Sequence, residues 1–441
     1  MAELDNEELR RLKDVNMDEA PARRHVRDCF RDIQHNLDHI LIKTPGDGIK
    51  TKESYEVNSR GFEIFSKSWL PESSRPRALV CFCHGIARRL ALSGYGVFAM
   101  DYPGFGLSEG LHGYISSFDL LVEDVIEHYS NIKEKPEFSS LPSFLFGQSM
   151  GGAVSLKIHF KQPNAWTGAV LVAPMCKIAE DMVPPPVLKH ILIGLSSVLP
   201  KHKLVPQKDL TDAAFRDVTK RKLLLLSSFD RPPEEKKRES ESESGVATAR
   251  DGAPAMVSSS MMLPVYPSPS ISSSEASWKH NKKFAKELSI EEEDHQLRSW
   301  FLHRRCSCAL LRYMHWSLEQ PAASRNVMLH SFCAPYNVIC YCDKPRLRTA
   351  VEMLRTTQEI EQQLHKVCLP ILILHGEADR MTDPSVSRDL YEKAKSSDKK
   401  IVLYKDAYHS LLEGEPDEVI LLVLSDIISW LDDHSLQVEG S

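Results

Sequence analysis

Pro142-Ser143-Phe144-Leu145-Phe146-Gly147-Gln148-Ser149-Met150-Gly151-Gly152-Ala153-Val154 is the stretch on which the fold of this chain turns. A short apolar run comes first, then a serine between glycines, then a helix-forming run that continues Ser-Leu-Lys-Ile. The pattern predicts a strand, a tight turn and a helix. A serine on such a turn has a strained backbone, and its hydroxyl is lifted clear of the sheet edge. Gly147 and Gly151 are expected to be glycine because a Cβ there would crowd the neighbouring strand or helix. The hydroxyl of Ser149 is therefore a candidate nucleophile.

The flanking sequence alternates between apolar runs and helical stretches. Residues 5–42 read as helical, with Leu9, Leu12, Val26, Phe30, Ile33, Leu37 and Ile40 at helix-like spacings. Residues 54–57 and 62–69 predict an antiparallel strand pair that turns at Asn58-Ser59-Arg60-Gly61. Strands are expected at 78–83, 97–101, 143–146 and 169–172, with helices at 86–93, 118–133 and 151–162. The rhythm stops after Pro174, and residues 182–230 carry prolines and two short apolar helical stretches. It returns with strands at 369–374 and 400–404 and helices at 385–395 and 415–432. This alternation predicts an α/β fold, a mostly parallel sheet covered on both faces, with a helical cap between its two parts.

Residues 231–335 differ in composition. Arg-Pro-Pro-Glu-Glu-Lys-Lys-Arg-Glu-Ser-Glu-Ser-Glu-Ser-Gly is a charged low-complexity run, and residues 256–277 are rich in serine and proline. Such stretches bury too little apolar surface to order themselves. The stretches 299–316 and 323–335 mix cysteine, tryptophan and arginine with no periodicity. The expected organisation is a helical segment over 1–52, core over 53–175 and cap over 176–230. A disordered insertion in the cap follows over 231–335, then the end of the cap over 336–366 and the second part of the core over 367–435.

At 441 residues and 42% hydrophobic content the chain can bury a large core. A net charge of −6 gives no basic footprint, which argues against a nucleic-acid partner. The start Met-Ala-Glu-Leu-Asp-Asn-Glu-Glu is charged, without the apolar core of a secretion signal. No apolar run has the length of a membrane span, and the ten cysteines are scattered. A reducing, cytoplasmic setting is expected, not a secreted one.

A serine nucleophile needs a base to accept its proton and a carboxylate to orient that base. The strand expected at 369–374 runs into His375-Gly376-Glu377-Ala378-Asp379. Asp379 is the favoured orienting acid, with Glu377 and Asp383 as weaker candidates. The strand expected at 400–404 leads to Lys405-Asp406-Ala407-Tyr408-His409, so His409 is the candidate base. An oxyanion hole takes two backbone N–H groups, and the candidates are Met150, after the nucleophile, and Ile86, after His84-Gly85. This chemistry calls for no metal and no cofactor. Cys306 and Cys308, and Cys340 and Cys342, have one intervening residue each, which is not the spacing of a zinc finger.

Taken together these motifs resemble the plant monoacylglycerol lipase-like hydrolases, a group that includes caffeoylshikimate esterases. The resemblance is carried by residues 101–125, Asp-Tyr-Pro-Gly-Phe-Gly-Leu-Ser-Glu-Gly onward, by 146–154, by 372–384 and by 405–418, and it covers about 1–223 and 336–435. It implies an α/β-hydrolase fold with a helical cap and a serine hydrolase acting on a small ester. That ester would be a monoacylglycerol, a lysophospholipid or a phenolic ester. It also implies a triad of Ser149, Asp379 and His409, in the chain order such enzymes use. The loop after Gly85 is about ten residues shorter than in the family. A mis-spliced transcript would account for both that loop and the insertion. Two alternatives remain at this stage, an acyltransferase using the same acyl-enzyme and a catalytically impaired isoform. Val187, Leu188, Ile191, Leu192, Ile193, Leu195, Val198 and Leu199 form an apolar stripe in the cap, able either to meet a membrane surface or to pack on the core.

Overall fold

The computed structural model describes residues 16–29, 48–82, 86–177, 185–205, 211–218, 220, 341 and 343–436. All of these fall in one compact unit. Its strands are β1 (Ile49–Val57), β2 (Glu63–Pro71), β3 (Leu79–Phe82), β4 (Gly96–Met100), β5 (Ser143–Gln148), β6 (Gly168–Val172), β7 (Ile371–Gly376) and β8 (Lys399–Tyr404). They form one eight-stranded sheet in the order β1-β2-β4-β3-β5-β6-β7-β8. The pairs β1–β2 and β2–β4 are antiparallel, and every pair from β4 to β8 is parallel. Leu171 of β6 lies opposite Ile373 of β7, so the chain between these strands leaves the sheet and returns to the adjacent place.

Side chains on a strand point alternately to the two faces, and the core divides accordingly. Ile371 and Ile373 of β7 enter one apolar cluster with Ala169 and Leu171, while Leu372 and Leu374 enter the other with Val170 and Val172. Each such side chain, fully buried, stabilises the fold by about 1.5–3 kcal/mol. Helices α1 (Ala20–Cys29), α2 (Ala87–Leu92), α3 (Phe118–Lys133), α4 (Met150–Lys161), α5 (Pro186–Val198), α6 (Thr211–Ala214), α7 (Leu347–Gln363), α8 (Pro384–Lys393) and α9 (Asp417–Leu436), with a 3-10 turn at Leu364–Lys366, complete the described elements. Buried residues of α3, α4, α7 and α8 cover the first face. Those of α2 and α9 cover the second.

Two elements depart from the sequence reading. β1 begins at Ile49, ahead of the boundary expected after residue 52. Its early residues are mostly charged and exposed, as befits an edge strand, and so show no apolar alternation. α7 has no counterpart among the expected helices. Its buried face includes Thr349, Glu352, Thr356 and Thr357, which hides the helix from a search for apolar periodicity. Those polar groups have partners: Thr349 Oγ1 accepts from Ile115 N at 2.9 Å, and Glu352 Oε2 accepts from Phe118 N, at the start of α3, at 3.0 Å.

Asp124 on α3 is buried beneath the β1–β2 turn, where Asn58 Nδ2 and Arg60 Nε donate to its Oδ1 at 2.8 and 2.9 Å. Burial pushes its carboxyl up to about 6, against the pull of Arg60 and with Glu127 and Glu123 adding to the rise. A carboxyl whose pKa is raised by folding costs no stability below pH about 4; the cost grows as pH climbs from about 4 to about 6 and is constant above that. Asp124→Asn is therefore expected to gain Tm on the parent between pH about 5 and pH about 7.5. Thermal melts at both values check this, and a Tm difference that does not change with pH contradicts it.

Candidate active site

Ser149 joins β5 to α4 with φ 52° and ψ −117°, a region side-chain-bearing residues rarely occupy. Neighbouring strands hold it there. Ser149 N donates to Val172 O at 2.9 Å, and Ser149 O accepts from Met175 N at 2.9 Å and Gly152 N at 3.0 Å. A strained residue fixed by its surroundings in this way is common where chemistry occurs. A Cβ on Gly147 would run into the Gly151 carbonyl, and one on Gly152 would lie 2.6 Å from Pro174 Cβ. The sequence reading named Gly147 as crowded, and the structure adds Gly152. Ser149 Oγ makes no capping bond to α4.

Asp379 lies just beyond the end of β7, with its side chain fully buried. Its Oδ1 accepts from Met381 N at 2.7 Å and Thr382 N at 3.1 Å. Its Oδ2 is 2.7 Å from His409 Nδ1, 2.8 Å from Thr382 Oγ1 and 3.0 Å from His375 Nε2. Burial alone would raise this carboxyl. The hydrogen bonds and electrostatic pull of His375 and His409 outweigh burial and hold it well below the usual carboxylate range. Glu377 instead pairs with Arg388 at an exposed position, 3.2 Å away. Asp383 caps α8, accepting from Ser385 N at 2.8 Å. Of the three carboxylates named from the sequence, Asp379 is the one that meets His409.

His409 sits in the loop between β8 and α9 and is 5% exposed. Its Nε2 is 2.9 Å from Ser149 Oγ. The loop is held from two sides. Ala378 N donates to Ala407 O at 3.0 Å, and Gly376 is pressed so close that a Cβ would strike the carbonyls of Ala407 and Tyr408. On the other side Ser410 N donates to Ala214 O at 3.0 Å, and Asp217 N donates to Gly414 O at 2.9 Å. Glu415, fully buried, accepts from Tyr408 N at 2.6 Å and lies 3.4 Å from Arg216 Nη1. Arg216 also donates to Asp406 O at 3.1 Å. The segment around α6 thus straps the histidine loop at both ends.

An ionised carboxylate only accepts hydrogen bonds, so the proton on His409 is on Nδ1 and faces Asp379. His409 Nε2 is then left with a lone pair for the Ser149 hydroxyl. Such a set can strip a proton from a hydroxyl as it attacks an electrophile. Met150 opens α4, and its N–H is one of the first-turn groups with no acceptor within the helix. Ile86 precedes α2 and is buried at 2% exposure. His84, Gly85, the insertion expected at 231–335, and the pairs Cys306/Cys308 and Cys340/Cys342 lie outside the described residues. His375, Thr382, Ser387, Glu415 and Arg216 were not singled out from the sequence. His375 stands there directly after the strand expected at 369–374, and Glu415 opens the helix expected at 415–432.

Gly376→Ala tests the close approach of the two loops. The added methyl must push the Asp379 and His409 loops apart, so kcat is expected to fall at least about 10-fold and Tm to fall as well. Steady-state kinetics and a thermal melt check this; a variant with parental kcat contradicts it.

The sequence matches the hydrolase family described as serine aminopeptidase, S33, over residues 74–226 and 300–417, more than half of the chain. The chain belongs to that family. The match resumes at residue 300, ahead of the 336 read from motifs, and leaves 227–299 between the matched stretches. Among curated relatives, caffeoylshikimate esterase of Arabidopsis thaliana is 25% identical over 88% of this chain and 86% of its own. Monoglyceride lipase of Homo sapiens is 24% identical over 86% of this chain and 90% of its own. In fold, the chain is similar to a soluble variant of the Saccharomyces cerevisiae monoglyceride lipase, with a TM-score of 0.55 at 17% identity. That likeness covers 87% of this chain and 95% of the lipase. Paleococcus ferrophilus monoacylglycerol lipase gives a TM-score of 0.51 at 18% identity, covering 84% of this chain and 99% of its own. The fold is that of the α/β-hydrolases, and this family member is a serine hydrolase of the lipase and esterase class.

Proposed function

We propose that Ser149 is the nucleophile of a carboxylic monoester hydrolase, with His409 as its general base and Asp379 as the orienting acid. Ser149 Oγ attacks the ester carbonyl while its proton passes to His409 Nε2. The carbonyl oxygen becomes an oxyanion and takes hydrogen bonds from the backbone N–H of Met150 and of Ile86. His409 returns the proton to the leaving alcohol, and an acyl-enzyme remains on Ser149. Water, deprotonated by His409, releases the acid. The observation that supports this most is the unbroken run of hydrogen bonds from Ser149 Oγ through His409 to Asp379, at 2.9 and 2.7 Å.

The substrate proposed is a monoester small enough to enter beneath the cap: a monoacylglycerol, a lysophospholipid or a caffeoylshikimate-type phenolic ester. The names of the relatives support the first and last of these. The cap is proposed to run over 176–230 and to be interrupted by the insertion. Its helix α5 is proposed to rest on a membrane surface, because Val187, Ile191, Ile193 and Val198 are exposed around it. No helix among the described residues is long and apolar enough to cross a membrane. The test is the purified chain assayed on the three esters, free and in phosphatidylcholine vesicles. Turnover of at least one, raised by vesicles for the lipid esters, is expected. Hydrolysis of peptide substrates alone would contradict the proposal.

A further inference from the structure

The Asp379 carboxylate is shared by two histidines. On the side away from Ser149, His375 Nε2 lies 3.0 Å from Asp379 Oδ2, the same oxygen that His409 contacts. The other ring nitrogen of His375, Nδ1, lies 2.6 Å from Ser387 Oγ on α8. The polar run therefore continues through the carboxylate, as Ser149, His409, Asp379, His375 and Ser387. Its two ends are not equivalent. His375 is 0% exposed and Ser387 1%, so no ester carbonyl can reach the second pair. We propose that His375 is a positioning residue of this hydrolase: it holds Asp379 Oδ2 in line with His409, and the Ser387 hydroxyl satisfies its other ring nitrogen. The inference rests on the roles given above to Ser149, His409 and Asp379.

The proton positions follow from the acceptor-only carboxylate. Nε2 of His375 must donate to Oδ2, and in the neutral ring Nδ1 then accepts from the Ser387 hydroxyl. Oδ1 needs no further help, since two backbone N–H groups hold it. Oδ2 has one other side-chain donor besides the two rings, Thr382 Oγ1. That hydroxyl is a poor anchor. It also lies 3.2 Å from His409 Nδ1 and 3.4 Å from Ala173 O, so it can turn away from Asp379 or compete for the proton of His409. His375 has less freedom: its Nε2 also lies 3.3 Å from Thr382 O and 3.5 Å from Thr382 Oγ1, but Asp379 Oδ2, at 3.0 Å, is the nearest of the three. His375 is part of β7, in register with Leu403 of β8, and its ring is closed in on both edges. The rigid strand thus supplies a fixed donor while His409 gains and loses its proton.

The test uses the full chain and a soluble short-chain aryl ester. His375→Leu removes the donor. His375→Gln offers an amide N–H close to where Nε2 was, and His375→Asn offers one that is too short to reach Asp379. A hydrogen bond to a charged group is worth about 10- to 100-fold, and the loss is expected in kcat with KM within about two-fold. Gln is expected to recover kcat to within a few-fold of the parent, and Leu and Asn are not. If Leu does not fold, Gln against Asn carries the same comparison. Equal rates in Gln and Asn, or a parental kcat in a folded Leu variant, would overturn the inference. So would a loss that appears in KM. Ser149→Ala, assayed alongside, separates the two ideas. Activity surviving in Ser149→Ala would sink the proposed triad, whereas an inactive Ser149→Ala beside unimpaired His375 variants would sink only the positioning role.

Discussion

Ser149→Ala is expected to lower kcat for ester hydrolysis by at least about 10⁴-fold, with Tm unchanged or slightly raised. Among the described residues Ser149 Oγ bonds to one side chain, His409 Nε2, and it makes no capping bond, so removing it costs the fold only that one hydrogen bond. The strained backbone is held by Val172, Met175 and Gly152, none of which contacts the hydroxyl in these bonds. Loss of activity without loss of fold therefore separates chemistry from structure. Steady-state rates with circular dichroism and a thermal melt check it. Turnover near the parental rate in a folded variant would move the nucleophile elsewhere.

Asp379→Asn is expected to cost about 10³- to 10⁴-fold in kcat and, unlike the first variant, to lower Tm. Its surroundings explain both effects. Every neighbour of the carboxylate offers a proton: two backbone N–H groups at Oδ1, and Thr382, His375 and His409 at Oδ2. An amide must turn its NH₂ toward one of these sets. Facing Oδ1's partners, it meets two fixed N–H groups. Facing Oδ2's, it drives His409 to the tautomer that presents N–H, not a lone pair, to Ser149. Each buried donor left unpaired costs about 1–3 kcal/mol. Glu377→Gln, at an exposed pair with Arg388, is expected to change kcat less than two-fold. A larger effect from Glu377→Gln than from Asp379→Asn would overturn the assignment.

The parts of this fold that were legible in the sequence are those where local pattern and tertiary role coincide. The expected helix over 118–133 matches α3 residue for residue, because its apolar stripe faces the sheet and Ser117 caps its start. The runs giving β5, β6 and β7 are apolar on both faces, as strands buried on both faces must be. Legibility fails where a polar residue does structural work at a distance. α7 was missed because Thr349 and Glu352 bury themselves against residues 113–118, more than two hundred positions away. His375 was quoted among the residues around Asp379, yet nothing in a linear sequence says that its ring turns back onto that carboxylate. The strap from Arg216 to Glu415 joins the segment around α6 to the loop ahead of α9, and no local period marks either residue.

The central claim is that Ser149, activated by His409, is the nucleophile. Mass spectrometry of the chain after reaction with a fluorophosphonate tests this most directly, because the probe bonds covalently to an activated serine and to little else. One adduct is predicted, on the peptide containing Gly147-Gln148-Ser149-Met150-Gly151, with ester hydrolysis lost in step with labelling. An adduct on a different residue, or ester hydrolysis that persists while Ser149 is fully labelled, would contradict the account.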